Sequence, residues 1–218
     1  REVVLSAGSI QTPQLLELSG IGDASFLGTK GIDSVVDLPG VGEGLQDHPA
    51  IVVVEKLKKG AKTLDAVSAN PKSFSRGSIH IASKDPKAYP NIDPQYLQAE
   101  VDKFYLLRAA QFLRELAKTE ALSKYIESEA EPGVQIQSEE ELGDWIENVV
   151  RTEYHPIGTA KIGARSDDGV VDENLIVHGT SNLRVVDLSV MPLHVSTHPQ
   201  STAYAIAEKA ADLMRGKA

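Results

Sequence analysis

The sequence predicts a mixed α/β chain, and three observations carry that expectation. Residues 2–6 form a short apolar run that turns through Ala7 and Gly8 into a helical stretch. Residues 50–55, 77–83, 159–163 and 183–186 have the pattern of strands, whereas 102–118, 138–150 and 201–214 have helical periodicity. With 41% hydrophobic and 24% charged residues over 218 positions, the chain can bury one large core or two small ones.

Composition excludes several classes of function. Twenty-two Lys and Arg against thirty-one Asp and Glu leave a net charge of -9, which argues against a phosphate backbone as partner; no nucleic acid is expected. The longest apolar run, 51–54, is far too short for a membrane span, and no membrane is expected. No cysteine is present, which removes disulfides, thiolate catalysis, zinc ribbons and iron–sulfur clusters, and leaves the compartment open. The chain starts in mid-strand without an initiator Met or a leader, as expected of a piece of a longer protein.

Each element has a local reason. The opening stretch 2–6 reads as a buried strand, and Thr12-Pro13 as a helix start with Pro in the first turn, stopped by Ser19-Gly20-Ile21-Gly22. A short strand and a glycine-punctuated loop fill 31–44, and Leu45-Gln46-Asp47-His48-Pro49 closes them before the apolar strand 50–55. Residues 56–76 are polar and aperiodic, the expected linker or junction. Ile79 and Ile81 alternate with polar neighbours in a half-buried strand, after which Pro86, Pro90 and Pro94 enforce an extended loop. The helix over 102–118 places Tyr105, Ala109, Phe112 and Leu116 on one face. Ser138 and Glu141 form a capping box before the stripe Leu142, Trp145, Ile146, Val149 and Val150. The last helix, 201–214, turns Ala203, Ile206, Ala207, Ala210, Leu213 and Met214 inward.

Polar chemistry concentrates in Tyr154-His155-Pro156-Ile157-Gly158-Thr159 and in His198-Pro199-Gln200-Ser201-Thr202. Pro disfavours helix at the preceding residue, so His155 and His198 can each project from a rigid turn. Imidazole titrates near neutrality and suits a general base, but for any single His-Pro pair turn stabilisation is the favoured reading. His194 and His198 have the spacing of metal ligands on a helix, yet flanking prolines and the lack of an HExxH glutamate argue against metal, and none is expected. His48, His80 and His178 read as surface or satisfied core histidines. No GxSxG elbow is present, and Gly40, Gly42 and Gly44 give GxGxG rather than the GxGxxG dinucleotide fingerprint. Ser201 and Thr202 open the last helix, whose N-terminus can face an anion or act as a plain cap.

Four blocks, AGSIQTPQLLELSGIG (7–22), GVGEGLQDHP (40–49), YHPIGTAKIG (154–163) and GTSNLRVVDLSVMPLHVSTHPQSTAYAIAEKAADL (179–213), occur in the order of one family. On them the chain resembles the glucose-methanol-choline (GMC) oxidoreductases, which include glucose oxidase, aryl-alcohol oxidase and choline dehydrogenase; the last block is most similar to fungal members. The resemblance implies FAD as cofactor, part of a Rossmann-type FAD-binding domain at 1–49 and 156–218, and a substrate domain at 50–155. The latter would have an antiparallel sheet backed by helices and be shortened near 60–75, since only twenty-seven residues separate Pro49 from Gly77.

By the same resemblance, His155 takes the hydroxyl proton of an alcohol or sugar while hydride passes to flavin N5, and His198 hydrogen-bonds the same oxygen. Tyr154, Asp187, Leu188, Pro199, Gln200, Ala7 and Gly8 match positions near the FAD. The family's amino-terminal half, with its glycine turn, does not occur in the sequence, so a separate chain carrying it is the expected partner. A non-catalytic fragment and a non-redox member of cyclase type are the alternatives. A secreted location is the expectation drawn from the family.

Overall fold

The computed structural model describes residues 1–58, 63–70 and 72–216. The chain divides into two compact units, one of Arg1–Asp47, Arg76–Gln95 and His155–Ala218, the other of His48–Ser75 and Tyr96–Tyr154. Arg76–Gln95, which lies inside the stretch 50–155 grouped together from sequence, thus clusters with the first unit. β1 (Val3–Leu5), α1 (Gly8–Leu18), β2 (Ile21–Gly22), α2 (Ala24–Thr29), β3 (Val36–Asp37) and β4 (Glu43–Leu45) belong to the first unit. β5 (Pro49–Leu57) and β6 (Thr63–Ala69) enter the second, while β7 (Gly77–His80) and β8 (Asn91–Asp93) return to the first. α3 (Glu100–Ala117), α4 (Glu120–Ser123), β9 (Ile126–Glu131), α5 (Glu139–Val149) and β10 (Arg151–Thr152) complete the second unit; β11 (Leu183–Val185) and α6 (Gln200–Met214) complete the first.

In the first unit β1 pairs in parallel with β11, β2 in parallel with β3, and β4, β7 and β8 form an antiparallel sheet. The opening strand is not buried as expected: Val3 and Val4 are 59% and 39% exposed, because β1 has one neighbouring strand among the described residues. α1 begins at Gly8 rather than Thr12, since the Asp187 carboxylate accepts from the Gly8 N–H (3.0 Å) and the Thr12 hydroxyl (2.7 Å). Pro13 therefore falls inside the helix and has no N–H to give the Ser9 carbonyl. The Thr159 hydroxyl supplies that donor at 2.6 Å, in a buried position. α1 stops at Ser19-Gly20 as expected; Gly20 has φ +80°, and a Cβ there would lie 2.6 Å from the Asp33 carbonyl.

Three further expectations for this unit are corrected. α2, capped by the Asp23 carboxylate accepting from the Phe26 N–H, was not foreseen. Residues 159–163 form no strand, because the Ala160 and Ile162 N–H groups donate to Ser189 and Val190 in a 3₁₀ turn, Leu188–Val190, that cannot extend a ladder. α6 starts one residue early and fully buries Ala210, with Ile206 and Leu213 partly packed; Ala207 and Met214 are exposed. The core gathers Leu16, Leu38, Val170, Val171, Val177 and Val185.

The second unit is built on β5. β6 pairs along its length on one edge; β10 and β9 share the other, at its start and its end. The polar stretch 56–76 is therefore no plain linker: among the described residues β6 pairs with β5 alone, and most of its residues are exposed, so no apolar alternation marks it as a strand. Positions 59–62 and 71 of that stretch, and part of the expected shortening near 60–75, lie outside the described residues. α3 is turned one position from the expected face: Asp102, Leu106 and Ala110 are buried, while Tyr105 and Phe112 are 48% and 65% exposed. The cause is Asp102, whose carboxylate accepts from Asn70 Nδ2 (2.8 Å), Phe74 N (2.9 Å), Ser75 N (2.8 Å) and Ser75 Oγ (2.6 Å), locking the helix to the loop before β7. α5 follows the expected capping box and packs Leu142 and Ile146 against Ile51, Leu106 and Ala110.

Candidate active site

The two His-Pro segments meet in the first unit. His198 Nδ1 lies 3.0 Å from His155 Nε2, with ring centroids 4.8 Å apart and planes at 79°, although 43 positions separate them. One ring N–H donates to the lone pair of the other, so the contact fixes complementary protonation at these two nitrogens. His155 is half-buried and His198 exposed.

Long-range polar contacts hold the pair. The His155 N–H donates to Asp47 Oδ1 (2.9 Å), and the His155 carbonyl accepts from the Nε2–H of His194 (2.8 Å). Gln46 joins both loops: its backbone exchanges hydrogen bonds with Ile157, its Oε1 accepts from the His194 N–H (3.2 Å), and its Nε2 donates to the Pro192 carbonyl (3.0 Å). Gly158, at φ +91°, lets the chain pass where a Cβ would sit 2.8 Å from the Gly44 carbonyl. Gln46, Asp47 and His194 were missed as site residues. The available signal was a run of three polar residues, 46–48, all buried, directly before an apolar strand.

The remaining expected site residues divide. Ala7 and Gly8 line a cleft of about 740 Å³ that also reaches Pro156, the residue after His155. Asp187 turns its carboxylate to α1 and to the Ser189 N–H (2.7 Å), so its side chain is spent on capping; Leu188 begins the 3₁₀ turn beside it. Pro199 is the buried N-cap of α6 and Gln200 its first residue; no side chain among the described residues caps that helix, and Ser201 and Thr202 lie in its first turn rather than at a cap. Tyr154, in the second unit, is 84% exposed with φ 62°, and its N–H donates to Thr152 Oγ1 (2.8 Å).

The other histidines have structural partners. His178 Nε2 donates to the Gly163 carbonyl (2.9 Å). His80 stands between Glu17 (2.7 Å) and Glu43 (3.0 Å), and its hydrogen bond to Glu17 above all holds its pKa above the ordinary 6.5, against the opposing effect of burial. Among the described residues no group of three or more His, Asp or Glu is placed to hold a metal ion.

Models of the GMC oxidoreductase family match residues 1–50 and 73–207, and the chain belongs to that family. It is 35% identical to the GMC oxidoreductase family protein Mala s 12 of Malassezia sympodialis, over 99% of this chain and 49% of that one. Its identity to choline oxidase of Arthrobacter globiformis is 36%, over 98% and 48% of the two chains. Relatives of similar identity thus come from different sources, and the likeness to fungal members does not fix an origin. Among solved structures it resembles pyridoxine 4-oxidase from Mesorbium loti (TM-score 0.90, 27% identity, 99% and 51% of the chains). A fungal aryl-alcohol oxidase is similar too (TM-score 0.85, 26% identity, 98% and 54% of the chains). The chain spans about half the length of the relatives it matches. The alignment to the Malassezia protein runs over 304 positions, against 218 residues here.

FAD is the cofactor seen in structural relatives, such as an FAD-dependent oxidoreductase from Chaetomium thermophilum and formate oxidase from Aspergillus oryzae. The residues present fit part of such a group. Gly8 has open space where a Cβ would stand, and α6 offers an N-terminus with no side-chain cap. Among the described residues, the hydroxyls of Ser9, next to Gly8, and of Ser189, two positions after Asp187, are buried without a hydrogen-bond partner.

Proposed function

We propose that this chain carries the catalytic imidazole pair of an FAD-dependent oxidoreductase acting on the CH–OH group of a small alcohol or sugar. The observation behind this reading is the 3.0 Å approach of His198 to His155, in a chain of the GMC oxidoreductase family. The first unit supplies part of the FAD-binding domain and the second part of the substrate domain. The shortening relative to the family falls near 60–75, a reading supported by the lack of a family-model match over 51–72. Within the first unit, Ala7, Gly8, Leu188, Pro199, Gln200 and the Asp187 backbone hold FAD. A further portion of the protein bearing a GxGxxG turn completes the cofactor site. The comparisons give no support for that portion being a separate chain.

The chemistry that FAD would supply here, when bound, is a hydride acceptor for the alcohol carbon. The chain's own residues handle the proton. An alcohol hydroxyl entering between the two rings replaces their mutual hydrogen bond, gives its proton to His155 Nε2, and receives a hydrogen bond from His198 as negative charge develops on oxygen. Asp47 and His194, gripping the N–H and C=O of His155, keep the base in place without reorganisation during the step.

The test is anaerobic flavin reduction in the full-length, FAD-loaded protein, first with a panel of alcohols and then for His155→Ala. Loss of the base lowers the reduction rate by about a hundredfold or more. An unchanged rate rejects the role of His155, and a bound flavin that no alcohol bleaches rejects alcohol oxidation in favour of non-redox chemistry of the cyclase kind.

A further inference from the structure

The second unit contains a carboxylate that the proposed chemistry does not use. Ile51, Val53 and Glu55 follow one another along one face of β5, and Glu55 is as buried as its apolar predecessors require, at 5% exposure. Its cross-strand partner on β9 is another acid, Glu129. Like charges directly opposite on a sheet are unfavourable unless something neutralises them.

Glu129 is neutralised. Arg114 of α3 grips it with two parallel bonds, Nε to Oε2 at 2.9 Å and a terminal nitrogen to Oε1 at 2.7 Å, and both side chains are largely buried. Glu55 is not: among the described residues none donates a hydrogen bond to its carboxyl. Burial, followed by the neighbouring Glu129 charge, pushes its pKa above the ordinary range, with Arg114 opposing. The carboxyl faces a cavity of about 310 Å³ whose wall includes Arg114, Ala117, Ile126 and Val134. Lys118 stands at the wall as well, but is mostly exposed and paired with Glu115. The Arg114–Glu129 and Lys118–Glu115 pairs each cancel, so one negative charge is left over, at the buried end of a partly apolar hollow.

We propose that this cavity is a second small-ligand site, in which Glu55 binds the ammonium of a short alkylamine whose carbon chain packs against Ala117, Ile126 and Val134. A cation there supplies the donor that Glu55 lacks and offsets the Glu55–Glu129 repulsion. The volume, at the small end of ligand pockets, suits an amine of about four or five carbons.

The test is calorimetric titration of the full-length, FAD-loaded protein with n-butylammonium chloride, with n-butanol as the uncharged control. Saturable binding of butylammonium, at least about tenfold tighter than butanol, is expected, since a charge-assisted hydrogen bond distinguishes them. Glu55→Gln keeps the shape, removes the charge, and is expected to fold because it relieves a buried repulsion; it should weaken butylammonium about tenfold or more and leave butanol unchanged. Ala117→Leu, which fills the cavity and keeps Glu55, should weaken both. Flavin reduction by alcohols should be the same in all three proteins. Equal butylammonium affinity in Glu55→Gln, or no saturable binding to the parent protein, would overturn the proposal.

Discussion

Thr159→Val tests the clearest piece of packing beneath the candidate site. Pro13 sits in α1 where an N–H would normally serve the Ser9 carbonyl, and the buried Thr159 hydroxyl serves it instead at 2.6 Å. Valine matches the shape of threonine and removes that donor, leaving a buried carbonyl without its hydrogen bond, at a cost of about 1–3 kcal/mol. At about 2 kcal/mol the melting temperature falls by about 4–8 °C for a chain of this size. A double-mutant cycle sharpens the claim, because Pro13→Ala restores an N–H one turn along from Ser9. In that background Thr159→Val should cost less by about 1 kcal/mol, a coupling that well-packed neighbours commonly show. Denaturant unfolding of the four full-length proteins measures each corner of the cycle. Equal costs of Thr159→Val in both backgrounds would refute the assignment of the threonine as a stand-in for the missing amide.

Two further outcomes follow from the same kind of accounting. His80 has a folded pKa above 6.5, chiefly through its bond to Glu17, so its stabilisation is fully present below 6.5 and is lost as pH rises through the folded value. Between about pH 6 and pH 9 the parent protein should therefore lose more thermal stability than His80→Gln; parallel profiles would show that the Glu17–His80–Glu43 contact carries no linked proton. On α3, Leu106→Ala should cost about 2–5 kcal/mol as a cavity in the core, while Phe112→Ala, on the exposed face, should stay within about 0.5 kcal/mol by denaturant unfolding. Reversed costs would mean that the helix buries the apolar stripe after all.

What the sequence revealed and what it hid differ in the range of the interactions involved. α5 was legible because its cap and its capping glutamate, Ser138 and Glu141, are three residues apart and bond only to each other's neighbourhood. α1 was misplaced because its cap is Asp187, 179 positions from Gly8, and a local reading gave that role to Thr12. The rotation of α3 has the same origin: periodicity counts apolar residues, and the residue that sets the helix face is a carboxylate whose donors lie on another segment. The candidate site follows this division closely. His155 and His198 stood out through the prolines beside them, a local signal. Their supports did not, since Asp47 bonds His155 across 108 positions and Gln46 bonds His194 across 148. A buried polar residue costs free energy unless a partner of fitting geometry is present, so residues such as Glu17, Gln46, Asp47 and Asp102 are tolerated where the fold brings that partner to them. Glu55 is the exception among these acids, since its carboxyl faces a cavity and meets no donor from the described chain. The rule that explains the other four is therefore what makes Glu55 a place to look for a ligand.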